Sequence, residues 1–254
     1  MTVVRVLSYN VRSLRDDRAA VARVVRALRP DVVCLQEAPR FAGWRTRRRR
    51  LARACGLSVA CGRRAAGLAV LAGPRARVVH REYHLLKRIP RLHRRGLAVA
   101  VLEFRDGDGP APAAGRGGSG AVRLVAASTH LDLRDGPRRL HTEEVLGILD
   151  RVRADHSAPV VLAGDINEEP GGASWTLLAR HLQDAHAVAP RGEAATFSAR
   201  NPRRRIDGVF ADPGIEVVGC GVPAGEGIGE EILADYRAAT DHRPVLAELR
   251  PPPR

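Results

Sequence analysis

The stretch PVVLAGDIN, residues 159–167, joins a run of apolar residues to a short polar motif. The run from Pro159 to Ala163 predicts a buried strand, because strands of a parallel sheet that is covered on both faces are nearly continuously apolar. Asp165 follows this run, so its carboxylate is expected at the end of the strand. The Gly-Asp-x-Asn motif alone is weak evidence for a function, since Gly-Asp is common in ordinary turns.

The same arrangement, a polar motif at the end of an apolar run, recurs in order along the chain. The motifs are Ser8-Tyr9-Asn10, Leu35-Gln36-Glu37, Ser128-Thr129-His130-Leu131, Gly164-Asp165-Ile166-Asn167, Arg205-Ile206-Asp207 and Thr240-Asp241-His242-Arg243-Pro244. Their side chains suit metal-assisted phosphoester hydrolysis, in which a hard cation needs oxygen ligands and an attacking water needs a base. Such groups are expected at the carboxyl ends of strands.

This ordered set resembles the endonuclease/exonuclease/phosphatase superfamily, and the match runs from Asn10 to Pro244. The resemblance implies the DNase I-like fold, a four-layer α/β sandwich of two packed mixed β-sheets flanked by helices. It also implies a divalent-metal-dependent hydrolase of phosphodiester bonds, in which water attacks in line on a metal-bound phosphate. Because the motifs span the chain, residues 1–254 are expected to form a single domain.

The resemblance implies three metal ligands, Asn10, Glu37 and Asp241, with Asp241 acting through a water molecule. Glu37 leads this set because a carboxylate just past a buried strand is unfavourable unless it is paired or bound to a metal. Taken alone, Glu37 would be an ordinary strand-end acid. Mg2+ suits oxygen ligands that leave room for water, and Mn2+ also fits.

The resemblance assigns catalytic roles to five further residues. Asp165 positions or deprotonates the attacking water, Asn167 holds the phosphate, and His130 donates to a nonbridging phosphate oxygen. His242 takes a proton or donates to the phosphate, and Asp207 fixes its tautomer. Asp165 and Asn167 are two positions apart, so an extended backbone would point both to one side.

Two positions depart from the exonuclease III branch of the superfamily. Arg12 stands two residues after Asn10, where that branch often has an aspartate that could serve as a second metal ligand. His130 stands where that branch tends to have a tyrosine. The Thr-His-Leu form is more similar to the DNase I, sphingomyelinase and inositol-phosphatase branches.

The composition leaves three functions open. The net charge of +14 indicates an anionic partner, and the Arg-rich loop from Lys87 to Arg95 favours a nuclease. However, Lys87 is the only lysine, so a GC-rich genome explains the arginines equally well, and aromatic residues, 4% of the chain, offer few stacking platforms. The alternatives are a hydrolase of a small or lipid phosphoester, such as an inositol phosphate or sphingomyelin-like ester, and a non-catalytic binding scaffold. The complete motif set argues against the scaffold.

No apolar run reaches 18 residues, so no transmembrane segment is predicted. The N-terminus lacks the order of a signal peptide, which favours a cytoplasmic location. We expect a monomer.

The four cysteines, at positions 34, 55, 61 and 220, are expected to be free thiols rather than zinc ligands.

Apolar spacing and turn residues predict the remaining elements. Helices are predicted from Asp16 or Asp17 to Leu28 and over residues 41–54 and 137–153. Strands are predicted over residues 3–8, 31–36, 67–72, 78–86, 96–104, 122–128, 159–163, 204–210, 215–218 and 245–249. The strands at 67–72 and 78–86 are expected in one antiparallel sheet, and residues 105–120, rich in Gly, Pro and Ala, are expected to form a flexible surface loop.

Overall fold

The computed structural model describes residues 2–104, 121–225 and 227–253. The strands are β1 (Val4–Asn10), β2 (Val32–Gln36), β3 (Ser58–Gly62), β4 (Ala69–Ala72), β5 (Ala76–Leu85), β6 (Gly96–Phe104), β7 (Val122–His130), β8 (Val160–Asp165), β9 (Gln183–Asp184), β10 (Asp207–Ala211), β11 (Glu216–Gly221) and β12 (Val245–Arg250). The helices are α1 (Arg18–Leu28), α2 (Trp44–Ala54), α3 (Asp135–His156), α4 (Ala173–His181), α5 (Ala185–Val188) and α6 (Glu230–Ala239). The surface loop predicted at 105–120 lies outside the described residues.

Two six-stranded mixed sheets pack face to face, which confirms the predicted sandwich. Their strand orders are β11-β12-β1-β2-β4-β3 and β5-β6-β7-β8-β10-β9. Strand β6 shows how one sequence supplies two cores: Ala98, Ala100 and Leu102 face the other sheet, whereas Val99 and Val101 pack under the helices. This alternation follows from the two-residue period of a strand.

The register of the strands brings the polar motifs to one edge of the sandwich. Asn10 pairs with Gln36 across the parallel strands β1 and β2, directly before Glu37. His130 pairs with Asp165 across the parallel strands β7 and β8, and Asp207 pairs with Asp165 from the antiparallel strand β10. Five separate segments therefore end within reach of one another.

The prediction that the strands at 67–72 and 78–86 share one sheet is wrong, because β4 and β5 lie in different sheets. Strand β4 pairs antiparallel with β2 and β3, whereas β5 pairs antiparallel with β6 at the edge of the second sheet. The three residues between them form a turn in which the Ala76 amide donates to the Gly73 carbonyl at 3.1 Å. The Gly73 amide in turn donates to the Asp31 carbonyl at 2.8 Å. This anchored turn carries the chain from one sheet to the other.

The ends of the helices follow their capping chemistry. Asp17, one of the two predicted caps, accepts hydrogen bonds from the Ala19 and Ala20 amides. Helix α1 ends at Leu28, and Arg29 follows in a left-handed conformation before Pro30. Helix α3 is longer than predicted at both ends.

No helix of the described residues is long and apolar enough to cross a membrane. All four cysteines are buried and free.

Arg48 is buried, whereas the other arginines of α2 are exposed. Its side chain is only 2% exposed, and burial lowers its pKa to about 10. The guanidinium donates to the carbonyls of Pro39 at 2.8 Å, Leu68 at 2.8 Å and Arg63 at 3.0 Å. Arg48 therefore fixes the loop that follows Glu37.

We expect Arg48→Ala to lower the free energy of unfolding by about 2–3 kcal/mol, because the loop carbonyls would lose their buried donors. Arg49→Ala is the matched control, since Arg49 is exposed one position along the same helix and should change stability by less than about 0.5 kcal/mol. Urea denaturation of both variants measures the difference. Equal midpoints for the two variants would contradict the structural role of Arg48.

Candidate active site

Asp165 lies at the centre of the converging strand ends. Its Oδ2 accepts a hydrogen bond from Asn10 Nδ2 at 3.0 Å. The same oxygen lies 3.5 Å from His130 Nε2 and 3.7 Å from His242 Nε2. Asp165 is 2% exposed and Asn10 is 1% exposed, so these contacts are formed largely out of contact with water. The two sheets thus contribute one polar cluster, with Asn10 from the first and Asp165 and His130 from the second.

His242 is held by Asp207 on the side opposite Asp165. His242 Nδ1 lies 2.9 Å from Asp207 Oδ2, a distance that places the proton on Nδ1 between the two groups. The ring of Phe197 lies 5.0 Å from the imidazole and limits its movement. Both Asp207 and His242 are buried. Nε2 is consequently the ring nitrogen that faces Asp165 and Asn10.

The two histidines have opposite protonation tendencies. Burial alone lowers the pKa of His242, but Asp207, Asp165 and Asp241 together outweigh burial and raise this pKa to about 10. Burial lowers the pKa of His130 to about 3, and the nearby Arg95 adds to this effect against the opposing influence of Asp165. At neutral pH, His242 is therefore a cation and His130 is a neutral imidazole.

The backbone conformation that brings Asn167 to the cluster differs from the predicted one. It adopts a left-handed conformation with φ 56°, so the segment from Asp165 to Asn167 is not extended. The Asn167 amide donates to Asp165 Oδ1 at 3.0 Å, and Asn167 Nδ2 donates to the Leu131 carbonyl at 3.0 Å. Ile166, between Asp165 and Asn167, is fully buried in the apolar core. Asp165 and Asn167 both line a cleft at these strand ends, which we call the active-site cleft.

Glu37 lines the cleft beyond Asn10. It has a left-handed backbone with φ 47°, and its Oε1 lies 3.5 Å from Asn10 Nδ2. The Ser13 amide donates to the Glu37 carbonyl at 2.7 Å, which ties the strand end to the turn after Asn10. In the part of the chain that the structure describes, the Glu37 carboxylate forms no ion pair, unlike the neighbouring Asp241.

Asp241 sits beside His242 but its carboxylate is engaged elsewhere. Its Oδ2 lies 3.4 Å from Arg12 Nε, and its side chain is 36% exposed. Arg12, the residue that departs from the exonuclease III pattern, has its pKa raised by Asp241 and Asp16. The structure thus places Asp241 next to the cluster without turning its carboxylate onto Asn10 or Glu37. Its role as a metal ligand stays a prediction.

The donor set fits a divalent cation. Asp165 and Asp207 place carboxylate oxygens within 4.8 Å of one another and of a ring nitrogen of His242, which as a cation is not itself a ligand. Asp207 Oδ1 is buried and has no hydrogen-bond partner among the described residues, so one carboxylate oxygen of this site is unpaired there. Glu37 adds carboxylate oxygens at the cleft, and the buried Asn10 adds an amide oxygen, which also accepts from the Arg12 amide at 3.1 Å. An oxygen-rich set of this kind suits Mg2+ or Mn2+ better than a soft metal.

A basic collar surrounds this cluster. The cleft has a volume of ≈ 370 Å³, and four arginines line it: Arg15, Arg40, Arg94 and Arg95. Arg95 is 9% exposed, its Nε lies 3.5 Å from Asp132 Oδ2, and burial lowers its pKa. Arg15, Arg40 and Arg94 form no ion pair among residues 2–104, 121–225 and 227–253. The cleft therefore presents cationic side chains to an incoming anion.

Sequence reasoning did not assign Arg15, Arg40 or Phe197 to the site, and it placed Arg95 in a basic loop that would bind the phosphates of nucleic acid. None of the four belongs to a motif. The one available signal was the position of Arg95 directly before a buried strand, at the same strand edge as His130.

Residues 7–242 match the Endonuclease/Exonuclease/phosphatase family. The chain belongs to this family. Endonuclease/Exonuclease/phosphatase proteins are phosphoric ester hydrolases that generally depend on a divalent metal, and this chain is such a hydrolase. No curated protein is significantly similar to the sequence.

Solved structures of the family share the fold. The endonuclease/exonuclease/phosphatase from Bacteroides vulgatus has a TM-score of 0.74 and 19% identity, covering 99% of this chain and 100% of that one. A mannosyl-6-phosphatase from Bacteroides thetaiotaomicron has a TM-score of 0.75 and 17% identity, covering 97% and 99%. TDP2 from D. rerio, complexed with a single-strand DNA product, has a TM-score of 0.70 and 18% identity, covering 98% and 100%. At these identities the likeness establishes the DNase I-like fold.

Proposed function

We propose that this family member is a Mg2+-dependent phosphodiesterase whose substrate is nucleic acid. The observation that carries the proposal is the meeting of Asn10, His130 and His242 on one carboxylate oxygen of Asp165, at 3.0–3.7 Å. A buried acid surrounded by hydrogen-bond donors is arranged to handle a water molecule and a phosphate together.

The cation would be held by Glu37 and Asn10, with Asp241 acting through water, and Mn2+ would fit the same ligands. Oδ1 of Asp207, which has no partner in the part of the chain that the structure describes, is a further candidate ligand. When bound, the cation polarises a phosphoryl oxygen and offsets the negative charge that develops there.

Asp165 would orient the attacking water and accept its proton. Its Oδ1 is occupied by the Asn167 amide, so Oδ2 is the oxygen that faces the reacting groups. Asn10 Nδ2 holds that oxygen in place. Fixing the base in this way reduces the reorganisation needed in the transition state.

His242 would donate from Nε2 to a phosphate oxygen. Because its pKa is raised to about 10, it is charged at neutral pH and stabilises anionic oxygen as well as hydrogen-bonding to it. His130 would act as a neutral donor to a nonbridging oxygen, and Asn167 as an amide donor beside it. Asp207 would keep His242 oriented through Nδ1.

The preference for nucleic acid rests on the basic collar. Arg15, Arg40 and Arg94 come from three separate loops around the cleft, so successive phosphates of a polymer could each meet a cation. The fold shared with TDP2, crystallised with a DNA product, is compatible with this substrate.

A small phosphoester is the second candidate. Among the described residues that line the cleft there is no Phe, Tyr or Trp on which a base could stack. The fold is equally shared with a mannosyl-6-phosphatase. Inositol phosphates and sphingomyelin-like esters belong to this class. A cytoplasmic location and a monomeric state stay predictions for either substrate.

An activity panel with Mg2+ separates the two candidates. It contains plasmid DNA, abasic DNA, RNA, inositol phosphates and sphingomyelin, each tested with and without a chelator. The proposal expects hydrolysis of at least one nucleic acid at a higher kcat/KM than any small or lipid ester. The reverse ranking would replace nucleic acid by the second candidate.

The basic loop provides a salt-dependence test. Arg91 and Arg94 extend from the loop before β6, whereas Arg95 is buried and paired and is left intact. We expect Arg91→Ala/Arg94→Ala to raise the KM for nucleic acid. The slope of log binding constant against log salt should become shallower by about 0.7–0.9 for each phosphate that no longer meets a cation. Turnover should change little.

The control for this variant removes two exposed charges elsewhere, as Arg53→Ala/Arg180→Ala. A small phosphodiester should respond to neither double variant. If both variants change the slope equally, the loop has no special part in binding and the arginines reflect composition alone.

The Asp207–His242 pair predicts a pKa change that can be measured directly. Asp207→Asn removes the adjacent negative charge, so the pKa of His242 should fall from about 10 by about 1–3 pH units. NMR titration of the histidine rings in chelator-treated protein measures it, with Asp150→Asn, on the exposed face of α3, as the control. An unchanged His242 titration in Asp207→Asn would remove the orienting role of Asp207.

A further inference from the structure

A group of metal-binding side chains lies outside the cleft, between the edge strand β5 and the end of helix α3. His80, Glu82 and His84 alternate along β5 and so share one face of the strand. His156, the last residue of α3, meets them there: its ring centroid lies 4.7 Å from that of His80. Neither the phosphate chemistry nor the packing of the core uses these residues.

We propose that His80, Glu82 and His156 form a transition-metal site that takes Zn2+. One ligand atom from each residue lies within 4.8 Å of the others. Two imidazole nitrogens and one carboxylate oxygen are ligands that Zn2+ binds at about 2.0–2.2 Å. Binding would require the partly exposed rings to turn inward until the three atoms share that distance to the metal, and water would complete the tetrahedron.

The carboxylate of Glu82 is oriented for this role by its neighbours. Its Oε2 accepts from Arg151 Nη2 at 2.7 Å and contacts His84 Nε2 at 2.8 Å. Its Oε1 is turned instead towards His80 Nε2, at 3.1 Å. Arg151 and His84 thus hold Oε2, while Oε1 faces His80. Hydrogen bonds of this kind to one oxygen orient metal-binding carboxylates.

The proposed site is separate from the active-site cleft in position and chemistry. His80 pairs with Val101, five residues beyond Gly96 at the cleft edge, a distance of about 17 Å along the strand. The cleft is rich in oxygen donors and suits Mg2+, whereas two imidazoles favour Zn2+ and similar metals. A metal bound here would link an edge strand to the helix that covers its sheet.

Zinc content is the direct test. Chain without a polyhistidine tag is stripped with a chelator, saturated with ZnCl2, separated from free metal and analysed for zinc per chain. Zn2+ can also enter the active-site cleft of both wild type and variant, so the difference in zinc content between them is the quantity to compare. Wild type should carry one more equivalent of zinc than His80→Ala/His156→Ala. His181→Ala, which removes an exposed histidine of α4, should match wild type. Mg2+-dependent hydrolysis should be unchanged in the double variant.

Thermal unfolding supplies a second readout. Zn2+ at 100 times its dissociation constant should raise the folded-to-unfolded ratio of wild type by about 100-fold, and the contribution of this site should disappear in the double variant. Glu82→Gln, which keeps the shape of the side chain, should lose the same equivalent of zinc. Equal zinc content in wild type and His80→Ala/His156→Ala, both folded without metal, would overturn the proposal.

Discussion

Asp165→Asn should lower the rate of Mg2+-dependent phosphodiester hydrolysis by about 10²–10⁴-fold. The substitution keeps the shape of the side chain but removes the proton-accepting charge at the point where Asn10, His130 and His242 meet. His242→Ala should cost a similar factor, because it removes a charged donor aimed at the same place. Steady-state kinetics with bis-p-nitrophenyl phosphate measures both rates, with circular dichroism to show that the fold is intact.

The double variant makes this prediction sharper. If Asp165 and His242 act on one transition state, the loss in Asp165→Asn/His242→Ala should be much smaller than the product of the two single losses. A double variant slowed by the full product would argue that the two groups serve separate steps. Asp150→Asn, an isosteric change on the exposed face of α3, controls for general loss of charge.

Glu37→Ala should remove most divalent-dependent hydrolysis while leaving the fold intact. Glu37 lines the cleft, and its carboxylate forms no ion pair among the described residues, so its charge is available to a cation. Its loss should both lower turnover and shift the Mg2+ dependence to higher concentration. Activity is measured against Mg2+ concentration, beside Glu143→Ala on the exposed face of α3. Wild-type activity of Glu37→Ala at saturating Mg2+ would exclude Glu37 as a ligand.

The strand ends were predictable because each apolar run and the polar motif after it lie within one short segment. A run such as residues 159–163 is typical of a strand in a covered sheet, so the polar residue that follows it is expected at the sheet edge. The assignment of strands to sheets was harder to predict from the sequence. Strands β4 and β5 both looked antiparallel from the sequence, but they pair in different sheets and are joined by the anchored turn at Gly73.

The parts of the site that escaped prediction depend on tertiary contacts. Arg95 looks like any other arginine of a basic loop until the adjoining strand carries it beside Asp132. Arg48 looks solvated until α2 docks onto the carbonyls of the loop after Glu37. The pairing of Arg12 with Asp241 joins segments more than two hundred positions apart. No local pattern encodes such contacts.

The most direct test of the proposed phosphodiesterase site is hydrolysis of bis-p-nitrophenyl phosphate by purified wild type and Asp165→Asn, each with Mg2+ and with chelator. This small diester needs only the metal and the central cluster, so it is independent of the natural substrate. The proposed site predicts release of p-nitrophenolate by wild type with Mg2+, and its loss both with chelator and in Asp165→Asn. Equal hydrolysis by wild type and Asp165→Asn, or hydrolysis that persists in the chelator, would contradict it.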